Sequence, residues 1–435
     1  MRPGARLAAA MDVIAAIDRE HRPASVALAD WGRAHRFAGS GDRSAIGTLV
    51  FDALRRRRSL AALMSADTPR ALVLASAARA FAMTPDEIEA AIAPGEAHAP
   101  APLTGEERQC LQSKLPSDTP VDVRADLPAW LLSPLERAFG ERLVAEGEAM
   151  AARAPIDLRV NTLKADRDKV LKALSRFGAE PTPLAPHGIR IAAPVGAARA
   201  PNVEAEAAHG KGWFEVQDEG SQIAAALAGV GQRRQQVLDL CAGAGGKTLA
   251  LAAAMNNTGQ IYAYDKDRKQ LRPIFERLTR AGVRNVQVME GGDQAALDAL
   301  GARFDVVFID APCTGSGTWR RRPDSKWRLK PEALQQRIGD QDAVLSQGAR
   351  FVKPGGRLVY VTCSVLPEEN ADRVAAFLDA HAGFALVPTE EAWTASLGGQ
   401  APPSADGRKE TLQLSPGLHG TDGFFIAILR RTGEA

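Results

Sequence analysis

The sequence is poor in cysteine and in aromatic residues. Four cysteines occur among the 435 residues, and aromatic residues make up 5% of the chain. No two cysteines form a Cys-x-x-Cys pair, which argues against a zinc site. Four cysteines are also too few for a disulfide framework in a chain of this length. We therefore expect no bound metal and a reduced, cytoplasmic compartment.

Long apolar runs are absent as well. No stretch approaches the roughly 20 apolar residues that span a bilayer, so we expect no membrane association. Asp12 and Asp18 interrupt the alanine-rich N-terminus early, which favours the first helix of a domain over a signal peptide. The formal net charge is +2, too small to identify a nucleic-acid partner without a local concentration of charge. The composition points to no obligate protein partner, and we expect a monomer.

The length of the chain favours two or three domains. Apolar residues recur at helical spacing over 8–17, 45–58 and 70–83, and residues 84–87 have the order typical of a helix start. The stretch 93–102, rich in alanine and proline, is predicted to be a loop. Strand-like runs at 158–162 and 188–192 then flank a helical pattern over 167–177. These patterns predict a helical N-terminal region followed by a small α/β unit.

From residue 235 onward, short apolar runs alternate with helical segments. The runs cover 236–240, 260–264, 286–289, 304–309 and 357–361. This alternation is typical of a doubly wound parallel sheet, in which ligands bind at the carboxyl ends of the strands. Functional side chains are therefore expected directly after each run.

The first run leads into a glycine-rich loop over residues 241–248. Its glycines allow a tight turn and the close approach of a ligand to the backbone. A phosphate-binding P-loop needs glycine where Cys241 stands, and a dinucleotide fingerprint needs glycine where Thr248 stands. The loop therefore belongs to neither of these two common nucleotide-binding types.

Acidic residues follow the second and third runs. Asp265 lies about 20 residues beyond the glycines, where an acid can accept hydrogen bonds from ribose hydroxyls. The alternative for Asp265 is the N-cap of a helix predicted over 266–280. Asp293 follows the third run and could meet the amino group of a base, although a position without any ligand role is equally favoured.

Two cysteines and an aspartate follow the fourth and fifth runs. Asp310 and Cys313 come after one run, and Cys363 comes after the next. Because these strands are neighbours in the predicted topology, the three side chains are expected to lie side by side near the glycine loop. An activated thiol beside an acid suits covalent catalysis. A cysteine at a strand end is otherwise most often a small buried hydrophobic residue, which is our interpretation of Cys110 and Cys241.

At these positions the chain resembles the RsmB/Nop/Sun family of RNA (cytosine-5) methyltransferases. The resemblance covers about 126–435, and it rests on residues 159–164, 214–221, 241–248, 310–317, 362–364 and 422–425, together with Asp265. The chain departs from the family at Gly243-Ala244, where Ala-Pro is usual. This departure loosens the loop without removing a side chain that has a chemical role.

The resemblance implies S-adenosyl-L-methionine as the cofactor and methylation of C5 of cytosine in RNA through a covalent adduct between Cys363 and C6. Cys363 would be the nucleophile, and Cys313 would assist release of the methylated RNA. Asp310 and Lys247 would face the target cytosine. The cofactor would contact Cys241, Ala242, Gly243, Ala244, Gly245, Gly246, Lys247, Asp265, Asp293 and Asp310.

The chemistry of this reaction explains the need for a thiol and an acid. C5 of cytosine is too weak a nucleophile to take a methyl group from a sulfonium until a thiolate has added to C6. An acid near N3 then stabilises the charge that develops in the transition state. A rival assignment makes Cys313 the nucleophile, as in DNA cytosine-5 methyltransferases, but the Thr362-Cys363-Ser364 motif favours Cys363.

Residues 1–125 resemble, more weakly, the NusB-like RNA-binding domain of the bacterial RsmB branch, mainly through residues 42–50. The expected fold is multi-domain: an all-α NusB-like domain over 1–125, a small α/β RRM-like subdomain over 126–225 and a Rossmann-like (class I methyltransferase) α/β domain over 226–435. The NusB-like branch implies 16S ribosomal RNA as substrate. The alternatives are the same chemistry on transfer RNA and a non-catalytic role as an RNA-binding assembly factor.

Basic and aromatic residues cluster directly after the loop of Cys313. The segment contains Trp319, Arg320, Arg321, Arg322, Lys326, Trp327 and Arg328. Positive charge binds phosphates and aromatic rings stack on bases, so this segment is predicted to contact RNA, with a solvated surface as the alternative. For a second basic run, over 55–58, RNA contact and a solvated face are equally favoured.

Overall fold

The computed structural model describes residues 1–92, 98–196, 198–232 and 234–433. Residues 93–97 of the predicted loop therefore lie outside the described residues. The N-terminal part is helical, as the spacing of its apolar residues predicts. Its helices are α1 (Pro3–Glu20), α2 (Ala24–Ala34), α3 (Ser40–Arg55), α4 (Arg57–Leu63), α5 (Pro69–Ala80), α6 (Pro85–Ala91), α7 (Gly105–Gln112), α8 (Val121–Arg124), α9 (Leu132–Phe139) and α10 (Leu143–Met150).

Helices α1, α3 and α5 pack together around a core made largely of alanine, leucine, valine and isoleucine. In α1 the buried residues Ala10, Ile14 and Ile17 recur at the spacing of one helix face. The helix start predicted at 84–87 is confirmed. Thr84 Oγ1 accepts a hydrogen bond from Glu87 N at 3.2 Å, and Glu87 Oε2 accepts one from Thr84 N at 2.8 Å, which closes a capping box.

A small four-stranded sheet follows. Its elements are β1 (Ile156–Val160), α11 (Arg167–Ala173), β2 (Glu180–Pro181), β3 (Gly188–Ile191), α12 (Ala207–Gly210) and β4 (Phe214–Val216). The strand order is β2-β3-β1-β4, and every described pairing is antiparallel. This βαββαβ order is that of the ferredoxin-like fold. β1 and β3 lie on the predicted strands.

The remainder forms a large sheet covered by helices. The strands are β5 (Gln236–Asp239), β6 (Gln260–Ala263), β7 (Val286–Val288), β8 (Phe304–Asp310), β9 (Val352–Thr362), β10 (Phe384–Leu386), β11 (Leu412–Leu414) and β12 (Phe424–Arg431). The helices are α13 (Glu219–Ala226), α14 (Gly246–Ala254), α15 (Arg268–Leu271), α16 (Ile274–Ala281), α17 (Gln294–Asp298), α18 (Pro323–Arg328), α19 (Pro331–Ala349), α20 (Ala371–Ala380), α21 (Thr389–Ser396) and α22 (Pro416–His419).

The strand order is β10-β12-β9-β8-β5-β6-β7, with β11 paired to β12. The five predicted strands form the parallel part, from β9 to β7. The order reverses between β5 and β8, which is where doubly wound sheets bind their ligands. The antiparallel strands β10, β11 and β12 were not expected from the sequence. The predicted adjacency of the strands before Cys313 and Cys363 is confirmed, because β8 pairs with β9.

Helices α8 to α10 do not stand apart from the large sheet. Leu135, Phe139 and Leu143 share a buried cluster with Trp319 and Leu366, which belong to the part of the chain around the large sheet. The N-terminal helices and the large sheet are thus joined by a common core. No helix of the described residues combines the length and apolar character needed to cross a bilayer.

Candidate active site

The glycine-rich loop joins β5 to α14 at the point where the strand order reverses. Gly243 and Gly245 adopt positive φ angles of 51° and 83°. A Cβ on Gly245 would lie 2.5 Å from the Ile274 side chain, whereas a Cβ on Gly243 would meet nothing closer than 4.0 Å. Glycine is therefore required at position 245 both because the φ angle is positive and because Ile274 leaves no space for a Cβ, whereas position 243 has room for a side chain.

Hydrogen bonds fix the loop from two sides. Asp265 Oδ2 accepts a hydrogen bond from Gly243 N at 2.9 Å. Arg277 Nη1 donates to Ala244 O at 2.8 Å, and its Nη2 lies 2.9 Å from Glu215 Oε2 on β4. The ferredoxin-like sheet thus braces the loop, and the departure at Gly243-Ala244 leaves it with a defined path.

A cavity of about 1280 Å³ opens in front of this loop, at the carboxyl edge of the sheet. Most residues predicted for the site line it, namely Cys241, Ala242, Gly243, Ala244, Gly246, Lys247, Asp265, Asp310, Cys313 and Cys363. Gly245 and Asp293 are not among the described residues of its wall. Gly245 faces Ile274, and Asp293 caps α17 by accepting a hydrogen bond from Ala296 N at 2.9 Å.

Asp265 lies just after β6 and is 9% exposed. The alternative interpretation of Asp265 as a helix N-cap is wrong. The helix predicted over 266–280 is split at Pro273 into α15 and α16, and Asp267 caps α15. Asp265 Oδ1 accepts a hydrogen bond from Asp267 N at 2.8 Å. Since each carboxylate oxygen can accept more than one hydrogen bond, Asp265 still has capacity for the hydroxyl groups of a ligand.

Lys247 and Asp310 form an ion pair between the loop and the thiols. Lys247 lies in the first turn of α14 and is 5% exposed. Its Nζ lies 2.9 Å from Asp310 Oδ2 and 5.1 Å from the centroid of the Phe424 ring. The Asp310 side chain is 33% exposed, so its carboxylate faces the cavity while a buried cation balances its charge.

The two thiols lie next to each other. Because Asp310 on β8 is opposite Val361 on β9, the connections that follow the two strands start level with each other. Cys313 Sγ lies 3.4 Å from Cys363 Sγ. The hydrogen bond with Cys363, burial and the nearby charge of Glu369 raise the pKa of the Cys313 thiol well above its ordinary value. Cys313 therefore keeps its proton at neutral pH.

The other two cysteines have different surroundings. Burial raises the pKa of the Cys241 thiol well above its ordinary value, so Cys241 is not a thiolate at neutral pH. Cys110 packs against the core of the N-terminal helices. Both environments agree with the interpretation of these residues as packing residues.

Two buried carboxylates behind the site were missed in the sequence. Asp239, the last residue of β5, is fully buried, and its Oδ2 accepts a hydrogen bond from Thr248 Oγ1 at 2.6 Å. Burial raises the pKa of Asp239 to about 7. Glu369 is also fully buried and contacts the loops of both cysteines. Position could have indicated Asp239, because it ends the strand before the glycine loop, whereas the sequence does not distinguish Glu369 from its neighbour Glu368.

The prediction that the segment after Cys313 contacts RNA is wrong for its central residues. Trp319 and Lys326 are each 1% exposed. Lys326 Nζ donates to Arg55 O at 3.0 Å, and Trp327 Nε1 donates to Leu54 O. Burial lowers the pKa of Lys326 to about 8. This segment therefore joins the large sheet to the C-terminal end of α3.

The second basic run, over 55–58, lies in the same contact between the N-terminal helices and the large sheet, which we call the seam. Arg55 is 8% exposed and donates to Arg320 O at 2.9 Å. Arg57 pairs with Asp18, and Arg58 pairs with an acid of α8. These side chains bind the N-terminal helices to each other and to the large sheet, so both interpretations of this run, RNA contact and solvated face, fail for them.

Comparison with known families agrees with this geometry. Residues 226–430 match the family model described as 16S rRNA methyltransferase RsmB/F, and residues 127–198 match the ferredoxin-like domain of RsmF/B-like methyltransferases. The chain belongs to the RsmB/F methyltransferase family. It is 33% identical over 311 residues to the probable ribosomal RNA small subunit methyltransferase B of Synechocystis, a match that covers 70% of this chain and 66% of that protein.

A second relative and two solved structures extend this result. Ribosomal RNA small subunit methyltransferase B of Escherichia coli is 33% identical over 311 residues, or 71% of this chain and 67% of its own length. The chain thus matches about two thirds of the length of these relatives. The crystal structure of PH0851 covers 99% of both chains with a TM-score of 0.74 and 24% identity, so it shares the fold. A methyltransferase homologue from Pyrococcus horikoshii is 30% identical with a TM-score of 0.58, over 72% of this chain and 97% of its own.

Proposed function

We propose that this chain methylates C5 of a cytosine in 16S ribosomal RNA, with S-adenosylmethionine as methyl donor and a covalent Cys363–C6 adduct as intermediate. One observation carries the proposal. Cys313 and Cys363 lie 3.4 Å apart beside the Lys247–Asp310 ion pair, on the wall of the cavity that the glycine loop borders. Membership of a 16S rRNA methyltransferase family gives this pair of thiols its chemical context.

The cavity fits S-adenosylmethionine. Gly243, Ala244 and Gly246 line the cavity, so a ligand can approach the backbone of the loop closely, and Asp265 supplies a carboxylate for ribose hydroxyls. Residues 241–244, Gly246 and Lys247 with Asp265 and Asp310 hold the cofactor in this proposal, and Gly245 gives the loop its turn. Asp293 is a weaker contact, because its carboxylate already caps α17. When bound, the cofactor supplies an electrophilic methyl group on a sulfonium.

The residues of the chain then divide the chemistry between them. Cys363 Sγ adds to C6 of the cytosine, which makes C5 nucleophilic. The Asp310 carboxyl group stabilises the adduct at N3, and Lys247 fixes the Asp310 side chain. After methyl transfer the C5 proton passes to solvent water, and the C6–S bond breaks so that Cys363 leaves as the thiolate. Cys313 keeps its own proton at neutral pH, which makes it unsuited to attack and suited to donate a hydrogen bond to the departing sulfur of Cys363.

We assign RNA binding to the N-terminal helices as well, as a NusB-like domain over residues 1–125 preceding an RRM-like subdomain over 126–225 and the methyltransferase domain over 226–435. A cleft of about 490 Å³ supports this assignment. Arg43, Arg153 and Arg199 line it together with Trp31, and no acidic residue is part of its described wall. Arginines around an aromatic ring suit phosphates and unstacked bases.

The test is methyl transfer from labelled S-adenosylmethionine to three RNAs: naked 16S ribosomal RNA, small-subunit particles and transfer RNA. We expect label in 16S ribosomal RNA, at one cytosine that bisulfite sequencing identifies, and none with the Cys363→Ala variant. Label in transfer RNA alone would replace the substrate while keeping the chemistry. No transfer to any of these RNAs would overturn the proposal in favour of a non-catalytic assembly factor.

A further inference from the structure

A fully buried carboxylate lies behind the two thiols. Glu369 ends the 3-10 turn Pro367–Glu369 that follows β9, and its exposure is 0%. Its Oε1 accepts hydrogen bonds from Thr314 N at 2.8 Å and from Gln341 Nε2 at 3.0 Å. Its Oε2 accepts hydrogen bonds from Thr314 Oγ1 and Ser364 Oγ, each at 2.5 Å. Within the described chain, no cation forms an ion pair with this carboxylate.

The protons of this cluster all point toward Glu369. Ser364 Oγ accepts a hydrogen bond from Leu366 N at 3.0 Å and directs its own proton to Glu369. Because the Ser364 proton is directed to Glu369, the bond of 2.8 Å between Ser316 Oγ and Ser364 Oγ is donated by Ser316, whose oxygen accepts from Val365 N at 2.9 Å. Burial raises the pKa of Glu369, whereas the hydrogen bonds from Ser364, Thr314 and Gln341 lower it. A chain of donors that ends on a carboxylate is satisfied when that carboxylate is ionised, because only then is it purely an acceptor.

The donors are the immediate neighbours of the two cysteines. Thr314 follows Cys313 and Ser364 follows Cys363, so one carboxylate holds the residue after each thiol. The distance between the two thiols depends on these two anchors, since the thiols come from different connections of the sheet.

Gln341 adds a third anchor on the other side of Cys313. Its Nε2 donates to Pro312 O at 2.9 Å as well as to Glu369. The backbone is therefore fixed both before and after Cys313. A buried carboxylate without a cation is costly, and an apolar side chain would fill the same volume at lower cost if packing were its only role.

We propose that Glu369 is the positioning residue of the thiol pair: it holds Cys313 and Cys363 side by side through Thr314, Ser364 and Gln341. Its negative charge also helps to keep the proton on Cys313. The inference rests on the proposed roles of the two cysteines. The test of this inference measures only whether the two thiols lie within reach of each other. The role of Glu369 can therefore be decided even if no methyl transfer is found.

The probe is phenylarsine oxide, which condenses with two neighbouring thiols to a cyclic dithioarsenite and releases one water molecule. Arsenic is not oxidised or reduced, and each thiol loses its proton to the oxygen that leaves. We expect the protein to bind one equivalent tightly, and the Cys313→Ala and Cys363→Ala variants to lose this capture. In Glu369→Gln an N–H replaces one acceptor, and we expect capture to weaken about tenfold or more.

The neighbouring Glu368→Gln variant is the matched control, because the Glu368 side chain pairs with Arg137, whereas the described hydrogen bonds to Thr314 and Ser364 come from Glu369. We expect it to capture the arsenical like the unmodified protein. Two variants of Thr314 keep the proposal testable if Glu369→Gln does not fold. Thr314→Ser keeps the hydroxyl group that donates to Glu369, whereas Thr314→Val removes it. Thr314→Val is expected to weaken capture, and Thr314→Ser to restore it.

Turnover provides the second readout. Glu369 does not line the cavity, so Glu369→Gln should lower kcat about tenfold or more while the KM for S-adenosylmethionine changes less than about twofold. Arsenical capture and kcat that both match the unmodified protein would overturn the proposal. A parallel loss of kcat and cofactor affinity, with capture unchanged, would also overturn it and would leave Glu369 a purely structural residue.

Discussion

Cys313 and Cys363 carry the same functional group but differ in what surrounds them. Cys313 lies in a loop that hydrogen bonds fix on both sides, and its thiol pKa is raised, whereas Cys363 follows the end of β9. A protonated thiol is a poor nucleophile and a usable proton donor. The two residues should therefore fail at different steps of the reaction when they are removed.

The first prediction concerns this difference. Cys363→Ala should form no covalent adduct with RNA and should lower methyl transfer by about a thousandfold or more, because the nucleophile is lost. Cys313→Ala should still form the adduct but release it slowly, so the adduct should accumulate. Denaturing gels of labelled RNA with each variant measure this directly. Accumulation in Cys363→Ala, with none in Cys313→Ala, would exchange the two roles.

Among the residues of the site, the sequence predicts those that follow buried strands but not the buried carboxylate of Glu369. Asp310, Cys313 and Cys363 can be found because chemically reactive residues after buried strands meet at one edge of a parallel sheet. Glu369 cannot be found in this way. It stands in a Glu-Glu-Asn sequence that is typical of an exposed helix start, and only the tertiary fold encloses one of the two glutamates while Glu368 stays half-buried.

At the scale of elements, the two glycines of the loop between β5 and α14 are needed for different reasons: Gly243 for its backbone conformation alone, and Gly245 for its conformation and for the lack of space around it. Both Gly243 and Gly245 have positive φ, but only Gly245 is closed in by Ile274. Arg277 and Asp265 hold the loop through the carbonyl of Ala244 and the N–H of Gly243. The Gly243-Ala244 pair, at which this chain departs from its family, therefore has a defined path.

The second prediction tests this distinction. Gly243→Ala should cost about 1 kcal/mol of stability, the price of a left-handed residue, and leave the affinity for S-adenosylmethionine within a few-fold. Gly245→Ala adds a 2.5 Å contact with Ile274, which must shift, so cofactor affinity should fall at least about tenfold. Isothermal titration with S-adenosylhomocysteine measures both. Equal losses in the two variants would contradict the steric argument.

The elements that were mispredicted share a cause. The segment with Trp319, Lys326 and Trp327 has the composition of an RNA-binding surface, yet its donors are used by backbone carbonyls at the end of α3. Those carbonyls lack partners within their own helix and carry partial negative charge, so a cation and an indole N–H suit them well. Composition does not distinguish a phosphate from a helix terminus as the acceptor. The antiparallel strand β12 was likewise missed, because its register depends on pairing with β9, whose partner residues lie 63 to 73 positions earlier in the chain.

At the scale of the whole molecule, the seam between the N-terminal helices and the large sheet contains a buried ammonium group. Lys326 is surrounded by Asp126, Arg55 and Arg56, and burial dominates its lowered pKa. Since the folded pKa is about 8 and the ordinary value is 10.5, the unfolded chain binds more protons between these values. Stability should therefore rise with pH over this window, and the penalty for the buried charge should be fully present below pH 8.

The third prediction follows from this sign. Between pH 8 and 10.5 the unmodified protein should gain up to about 3 kcal/mol of stability that a Lys326→Met variant does not gain. Lys330→Met, which removes an exposed lysine near the seam, should behave like the unmodified protein. Urea unfolding followed by tryptophan fluorescence at several pH values gives the comparison. A parallel pH dependence in all three proteins would show that Lys326 is not a buried ammonium group.

The fourth prediction concerns the arginine-lined cleft, which replaces the misassigned segment as the RNA contact of the N-terminal part. Each arginine that neutralises one phosphate releases counterions, so its removal should lower the slope of log affinity against log salt by about 0.7 to 0.9. Arg43→Ala and Arg199→Ala should each do so. Arg19→Ala, at an exposed position outside the cleft, should leave the slope unchanged.

Fluorescence anisotropy with a labelled fragment of 16S ribosomal RNA, over about 50 to 200 mM salt, measures these slopes. The cofactor cavity shares no described residue with the cleft. Affinity for S-adenosylhomocysteine should therefore stay constant in all three variants. If the cleft variants bind RNA with the slope of the unmodified protein, phosphate contacts lie elsewhere, and the N-terminal helices serve to buttress the large sheet through the seam at Lys326.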